Sequence, residues 1–114
     1  MGCLGAAHSF SDKKGGVKCM NMLKWLERWF KSNCDGDWEH SYGVTISTLD
    51  NPGWAVKINL IETSLEYKKF ERIKIDNGDD DWIVCWIEEG SFNGAGDIEK
   101  LFAILEIFKK WSES

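Results

Sequence analysis

The spacing of apolar positions along the chain changes several times. From Met20 to Asn33 apolar residues recur at Met22, Leu26 and Trp29, with Leu23 and Phe30 widening the stripe. Steps of three and four predict an amphipathic helix, with Lys24, Glu27, Arg28 and Lys31 toward water and Asn21 as its cap. Asn33, Asp35 and Gly36 are turn formers that end it. The period then drops to two. Residues 42–50, YGVTISTLD, are rich in β-branched side chains and predict a strand. Residues 54–60 alternate cleanly, with Trp54, Val56, Ile58 and Leu60 on one face and Ala55, Lys57 and Asn59 on the other. Between them, Asn51-Pro52-Gly53 predicts a type II turn, Pro52 fixing φ and Gly53 accepting a positive one. The two strands then form a hairpin.

Residues 67–76 predict a third, more polar strand with Ile73 and Ile75 inward, and 77–81 a second reversal. The fourth strand, WIVCWIEE at 82–89, is apolar on both faces: Ile83, Cys85 and Ile87 on one, Trp82, Val84 and Trp86 on the other. Such a strand is either central and covered on both sides or displays an aromatic patch. Residues 90–97 read as a glycine-rich loop. Asp97 then caps a last helix with a stripe of Ile98, Leu101, Leu105 and Phe108, Phe102 beside it. Glu99 near its start and Lys109 and Lys110 near its end suit the helix dipole. The expected fold class is α+β: an N-terminal helix, a four-stranded antiparallel meander and a C-terminal helix, both helices on one face. Residues 1–19 lack apolar periodicity and read as a flexible leader before a single domain at 20–114. The leader lacks the basic start of a secretory signal, and Ala6 departs from the myristoylation pattern that Gly2 would begin.

Composition narrows the function classes. The chain has 114 residues, 43% hydrophobic and 29% charged, with seven tryptophans, a globular balance that fits one domain. No apolar run approaches the ~20 residues that span a bilayer, so no membrane partner is expected. The net charge is −5. Residues 20–114 hold 11 basic and 18 acidic side chains, a net of −7. That charge repels phosphate backbones, which argues against nucleic acid; it suits a basic protein partner or equally a merely solvated surface. Cys3, Cys19, Cys34 and Cys85 form no CxxC pair, and Cys85 sits in an apolar run as a buried free thiol would. A zinc site lacks closely spaced ligands, His8 and His40 being the only histidines.

Four features carry candidate chemistry. Asp35, Asp37, Glu39 and His40 have the residue types of a metal or nuclease cluster, but their spacing departs from a calcium loop, as does that of 76–81. His40 lies between Glu39 and Ser41, and sequence neighbours point apart in an extended chain, which is no triad. SFNGAGD before a helix has anion-loop spacing without the P-loop lysine. The tryptophans remain. Trp25, Trp29, Trp54 and Trp111 read as core, whereas Trp38, Trp82 and Trp86 are harder to hide beside acids, a composition that suits a protein-binding surface. The candidate partner-binding residues are Asp35, Asp37, Trp38, Glu39, Asp79, Asp80, Asp81, Trp82 and Trp86. Asp50, Pro52, Gly53 and Trp54 are the candidate turn. No catalytic residue, metal or cofactor is expected. The alternative is a metal-dependent hydrolase or small-ligand-binding domain using the acids around His40.

Four segments in order, WEHSYG, TLDNPGW, DWIVCW and FNGAGD leading into the last helix, resemble the bacterial immunity protein 53 family. The resemblance covers about Met22 to Trp111. It implies a cytoplasmic antidote of a polymorphic toxin system, encoded beside a secreted toxin, that binds the toxin domain without doing chemistry. Trp38, Glu39, Asp50, Pro52, Gly53 and Trp54 match its pattern and read as fold-forming, leaving an acidic rim to face a partner.

Overall fold

A computed structural model of the protein describes residues 14–114, with side chains from Asn21 onward. Two units are distinguished, one ending at Ser32 and one spanning Asn33–Ser114. The first holds all but the last residue of the helix α1, Lys14–Asn33. It starts earlier than expected and takes in the last six residues of the leader; the readings made on Gly2, Cys3, Ala6 and His8 lie outside the described residues. Met22 is buried and Trp25, Leu26 and Trp29 are half-buried at steps of three and four. Leu23 and Phe30 lie outside that stripe and are exposed. They sit one position beyond Met22 and Trp29, and 100° of helical turn carries them toward water.

The second unit contains a short helix α2, Trp38–Ser41, five strands, and α3, Leu101–Glu113. The strands are β1 (Val44–Leu49), β2 (Gly53–Asn59), β3 (Ile73–Asp76), β4 (Trp82–Glu88) and β5 (Ser91–Gly96). They form one antiparallel sheet in the order β1-β2-β5-β4-β3. The expected four-stranded meander is therefore corrected twice: there is a fifth strand, and it is the central one. The supposed glycine-rich loop is β5. It is reached from β4 by a two-residue turn, Glu89-Gly90, whose φ angles are 52° and 76°. Two successive positive φ values make the type I′ geometry that matches the strand twist.

Register assigns every side chain to a face. Val56, Ile58, Phe92, Gly94, Ile83, Cys85 and Ile73 share the inner face. α3 lies across it, burying Ile104, Leu105 and Phe108. The glycines of β5 make this approach possible. A Cβ on Gly94 would fall on the Ile104 side chain, and one on Gly96 would lie 2.6 Å from Lys100 Cβ. The segment between β2 and β3 crosses the same face. Phe70 stands edge-on to Phe92 and Trp111, with centroids 5.5 and 5.4 Å apart, and the Trp111 indole donates to the Lys69 carbonyl at 2.7 Å. This crossover carries the chain past β5 and β4 to the far edge, so β3 is only four residues long. Ile75 shares the inner face but is 50% exposed at that edge.

Two details of the turns also differ from expectation. Leu49 pairs with Gly53, so the β1–β2 loop is Asp50-Asn51-Pro52 and Gly53 is the first residue of β2. Gly53 has no positive φ. What excludes a side chain is the Gly96 carbonyl oxygen, on which a Cβ would fall. Ile98 leaves the expected core stripe and is 59% exposed, because α3 begins only at Leu101. No described helix is long and apolar enough to cross a membrane.

Candidate functional site

The acids that stand out in the sequence occupy opposite ends of the sheet. β4 runs from Trp82 at one end to Glu88 at the other, about 20 Å at ~3.3 Å per residue. The Asp35–Glu39 loop belongs to the Glu88 end. The Trp38 indole donates to the Ile61 carbonyl at 2.9 Å, just past β2, and Leu60 N–H bonds Gly90 in the β4–β5 turn. The Asn77–Asp81 loop belongs to the other end, beside Asn51, Pro52 and the start of α3.

At the first end the acids are largely used up by the backbone. Asp35 Oδ1 accepts the N–H groups of Asp37 and Trp38, at 3.0 and 2.9 Å. Glu39 returns the arrangement, its two oxygens accepting Asp35 and Gly36 N–H at 2.9 Å each. These bonds satisfy the N–H groups of the turn leading into α2 and the first one of the helix, that of Trp38. The bonds from Trp38 and Asp37 hold the Asp35 carboxyl below its usual range. Bonds from its own N–H and from those of Asp35 and Gly36 do the same for Glu39. Trp38 is 2% exposed, so its ring belongs to the interior and forms no part of a partner-facing surface. Asp37 and His40 are exposed. Among the described residues, no three His, Cys, Asp or Glu side chains converge as a metal site.

At the second end the acids divide into two sets. Asp97 is buried, 3% exposed, and accepts three donors: Trp82 N–H at 2.8 Å, Glu99 N–H at 2.8 Å and the Lys100 ammonium at 2.6 Å. Lys100 also reaches Asp81 at 2.8 Å. One ammonium thus ties the β3–β4 loop to the lead-in of α3, and Asp97 ties both to the backbone of β4. Lys100, reinforced by the Glu99 and Trp82 N–H groups, holds the Asp97 carboxyl down at about 2. Lys100 and Asn77 lower Asp81, while Asp81 and Asp97 raise Lys100. Asp79 and Asp80 are exposed, and among the described residues neither carboxylate has a hydrogen bond or ion pair. With Asn51, Pro52, Ile98 and Glu99 they rim a groove of about 260 Å³.

The expected turn residues also meet here. Asp50 is exposed, Pro52 lines the groove, and Trp54 donates its indole N–H to the Ile98 carbonyl at 2.9 Å. Trp82 and Trp86 leave this end along the outer face of β4, both half-buried. Trp86 donates to Glu88 at 3.0 Å, and the Arg72 guanidinium lies 5.7 Å from its ring centroid. Cys85 points the other way, and burial pushes its thiol up to about 12, an inert core group. Sequence reasoning does not find Asp97 and Lys100 as site-builders: a buried acid three residues before a lysine has the signature of a helix cap, whereas α3 begins only after Lys100 and Asp97 ties its lead-in to β4.

Neither curated proteins nor solved structures give a match to this chain. A match does come from the family described as Immunity protein 53, over residues 23–113. It takes in all five strands, α3 and the acidic loops at both ends of the sheet, so the chain belongs to the immunity protein 53 family, whose members are typically not enzymes.

Proposed function

We propose that this protein binds a cognate toxin domain in the cytoplasm and neutralises it by occupancy, without chemistry of its own. Family membership over residues 23–113 carries the reading. The charge of the second unit supports it. Residues 33–114 hold 8 basic and 17 acidic side chains, a net of −9. Asp79, Asp80 and Glu99 face solvent at one end of the sheet, and the first two are not committed to any bond. Such a rim suits a basic surface, for example the phosphate-binding cleft of a nuclease toxin. Trp82 and Trp86 continue from the rim and offer large anchors. The partner-facing set is therefore Asp79, Asp80, Trp82 and Trp86. Asp81 serves the loop, and Asp35 and Glu39 serve α2.

The test is to titrate the toxin domain encoded beside this gene with the purified protein and follow toxin activity. Loss of activity at a 1:1 ratio, unchanged by EDTA, is expected. Undiminished toxin activity at excess protein would refute neutralisation. Loss of inhibition on chelation would instead favour a metal-dependent activity.

A further inference from the structure

The outer face of the sheet has a ridge and a trough. On β4, Trp82, Val84 and Trp86 stand in a row. On β2 and β5 the side chains opposite Val84 are only Ala55 and Ala95. The result is a groove of about 290 Å³ with a floor of small residues, walled by Trp86 on one side and by Thr45 and Ser47 of β1 on the other. The wall is preorganised: Glu88 holds the Trp86 indole N–H and Arg72 covers its ring, so little freedom is lost when a partner packs there.

The charge of this face opposes that of the rest of the unit. Lys57 stands in the groove between Thr45 and Asn93. It is exposed, and no carboxylate among the described residues pairs with it. Lys74 and Arg72, with one acid, Asp76, line a second hollow on the far side of the tryptophan ridge. Three cations, Lys57, Arg72 and Lys74, thus stand against two acids, Asp76 and Glu88, on this face of a unit of net −9, and the Lys57 ammonium in the groove has no carboxylate partner among the described residues. Packing two copies face to face about a two-fold axis would set the cations of one copy, Lys57 and Lys74, against the same cationic face of the other.

We propose that this groove receives a segment of the toxin domain that places an apolar side chain on Ala55 and Ala95 against Trp86, and a carboxylate on Lys57. This rests on the neutralisation reading. Five strands ~4.8 Å apart and six residues deep give a plan area of at most roughly 475 Å², against the ~800 Å² per partner of a standard interface. The contact therefore extends beyond the face, and the Asp79–Asp80 loop at the end of the same ridge is what it reaches next. The toxin then presents both signs of charge, a basic patch for the loop and an acid for the groove.

The experiment measures binding of the catalytically inactivated toxin domain encoded beside this gene, by titration calorimetry at low and high salt, alongside sedimentation of the protein alone. The variants are Lys57→Glu, Ser47→Arg and Lys57→Arg. Lys57 and Ser47 are exposed, so unchanged melting is expected in all three. Lys57→Glu and Ser47→Arg should each weaken binding at least tenfold, and Lys57→Arg should retain it. If the parent binds and either disruptive variant binds as tightly, the groove is not the interface and only this inference falls. If the parent does not bind, the neutralisation reading falls and the inference with it. A parent dimer that Lys57→Glu dissociates would make a second copy the occupant and overturn the proposal.

Discussion

The two acidic ends of the sheet look alike in sequence and differ in what their carboxylates do. At the Trp38 end, Asp35 and Glu39 accept four backbone N–H groups and close a tight turn over a buried indole. At the Trp82 end the structural load falls on Asp81 and Asp97, joined through Lys100, while Asp79 and Asp80 stay uncommitted. The difference teaches that acid density marks a surface only where the backbone has no use for the acids. A carboxylate that satisfies buried or helix-starting N–H groups is part of the fold.

Substitutions at each end test this division. Trp38→Ala should have the largest effect, about 3–5 kcal/mol of stability, since it removes a fully enclosed indole and leaves a cavity. Chemical denaturation measures this, and near-parental stability would mean the first end is not structural. Gly53→Val should cost ~3 kcal/mol, because its side chain meets the Gly96 carbonyl rather than an open turn. A double variant with Gly96→Ala should not recover the loss, because the obstacle is backbone.

Asp97→Asn sharpens the comparison through pH. Its folded carboxyl lies at about 2, below the ordinary ~4, so its contribution is complete above about pH 4 and fades as pH falls toward 2. The variant should melt earlier at neutral pH and show a flatter acid limb between those values. An acid limb identical to the parent's would remove Asp97 from the clamp. The smallest effect on stability belongs to Asp79→Lys with Asp80→Lys. Melting should be unchanged, whereas association with the toxin domain should slow and lose salt dependence, as stopped flow would show. A melting midpoint several degrees lower would place these acids with the structural ones.

Much of this fold was legible in the sequence. The β1–β2 hairpin follows from period alone, and so do the Met22, Leu105 and Phe108 core positions; Leu23, Phe30 and Ile98 leave the expected stripes, and Ile104 joins the core without having been in one. β5 was not legible, because Gly94 and Gly96 look like loop residues until α3 is set against them. Glycine there is a packing requirement of Ile104 and Lys100, which meet it only once α3 has folded back across the inner face. The Glu89-Gly90 pair before Ser91 was the available local signal, a two-residue turn after an alternating strand. For the site, Asp79 and Asp80 are exposed and Trp82 and Trp86 half-buried. Trp38 is buried, and nothing local to WEHS announces that the Ile61 carbonyl receives its indole.

β1 is an edge strand, and its sequence, VTISTL, contains no charge and no proline. Ile46 is 40% exposed on it. Natural sheets usually guard such a margin with lysine or a bulge, because a bare row of N–H and carbonyl groups templates another strand. β3 at the opposite margin has Lys74 and Asp76; on β1 itself no side chain is charged, and what remains among the described features is the repulsion between whole molecules of net charge −5. That protection is colloidal and reversible. It weakens as acid neutralises the carboxylates, and strand-to-strand self-association through β1 is then the first route out of solution.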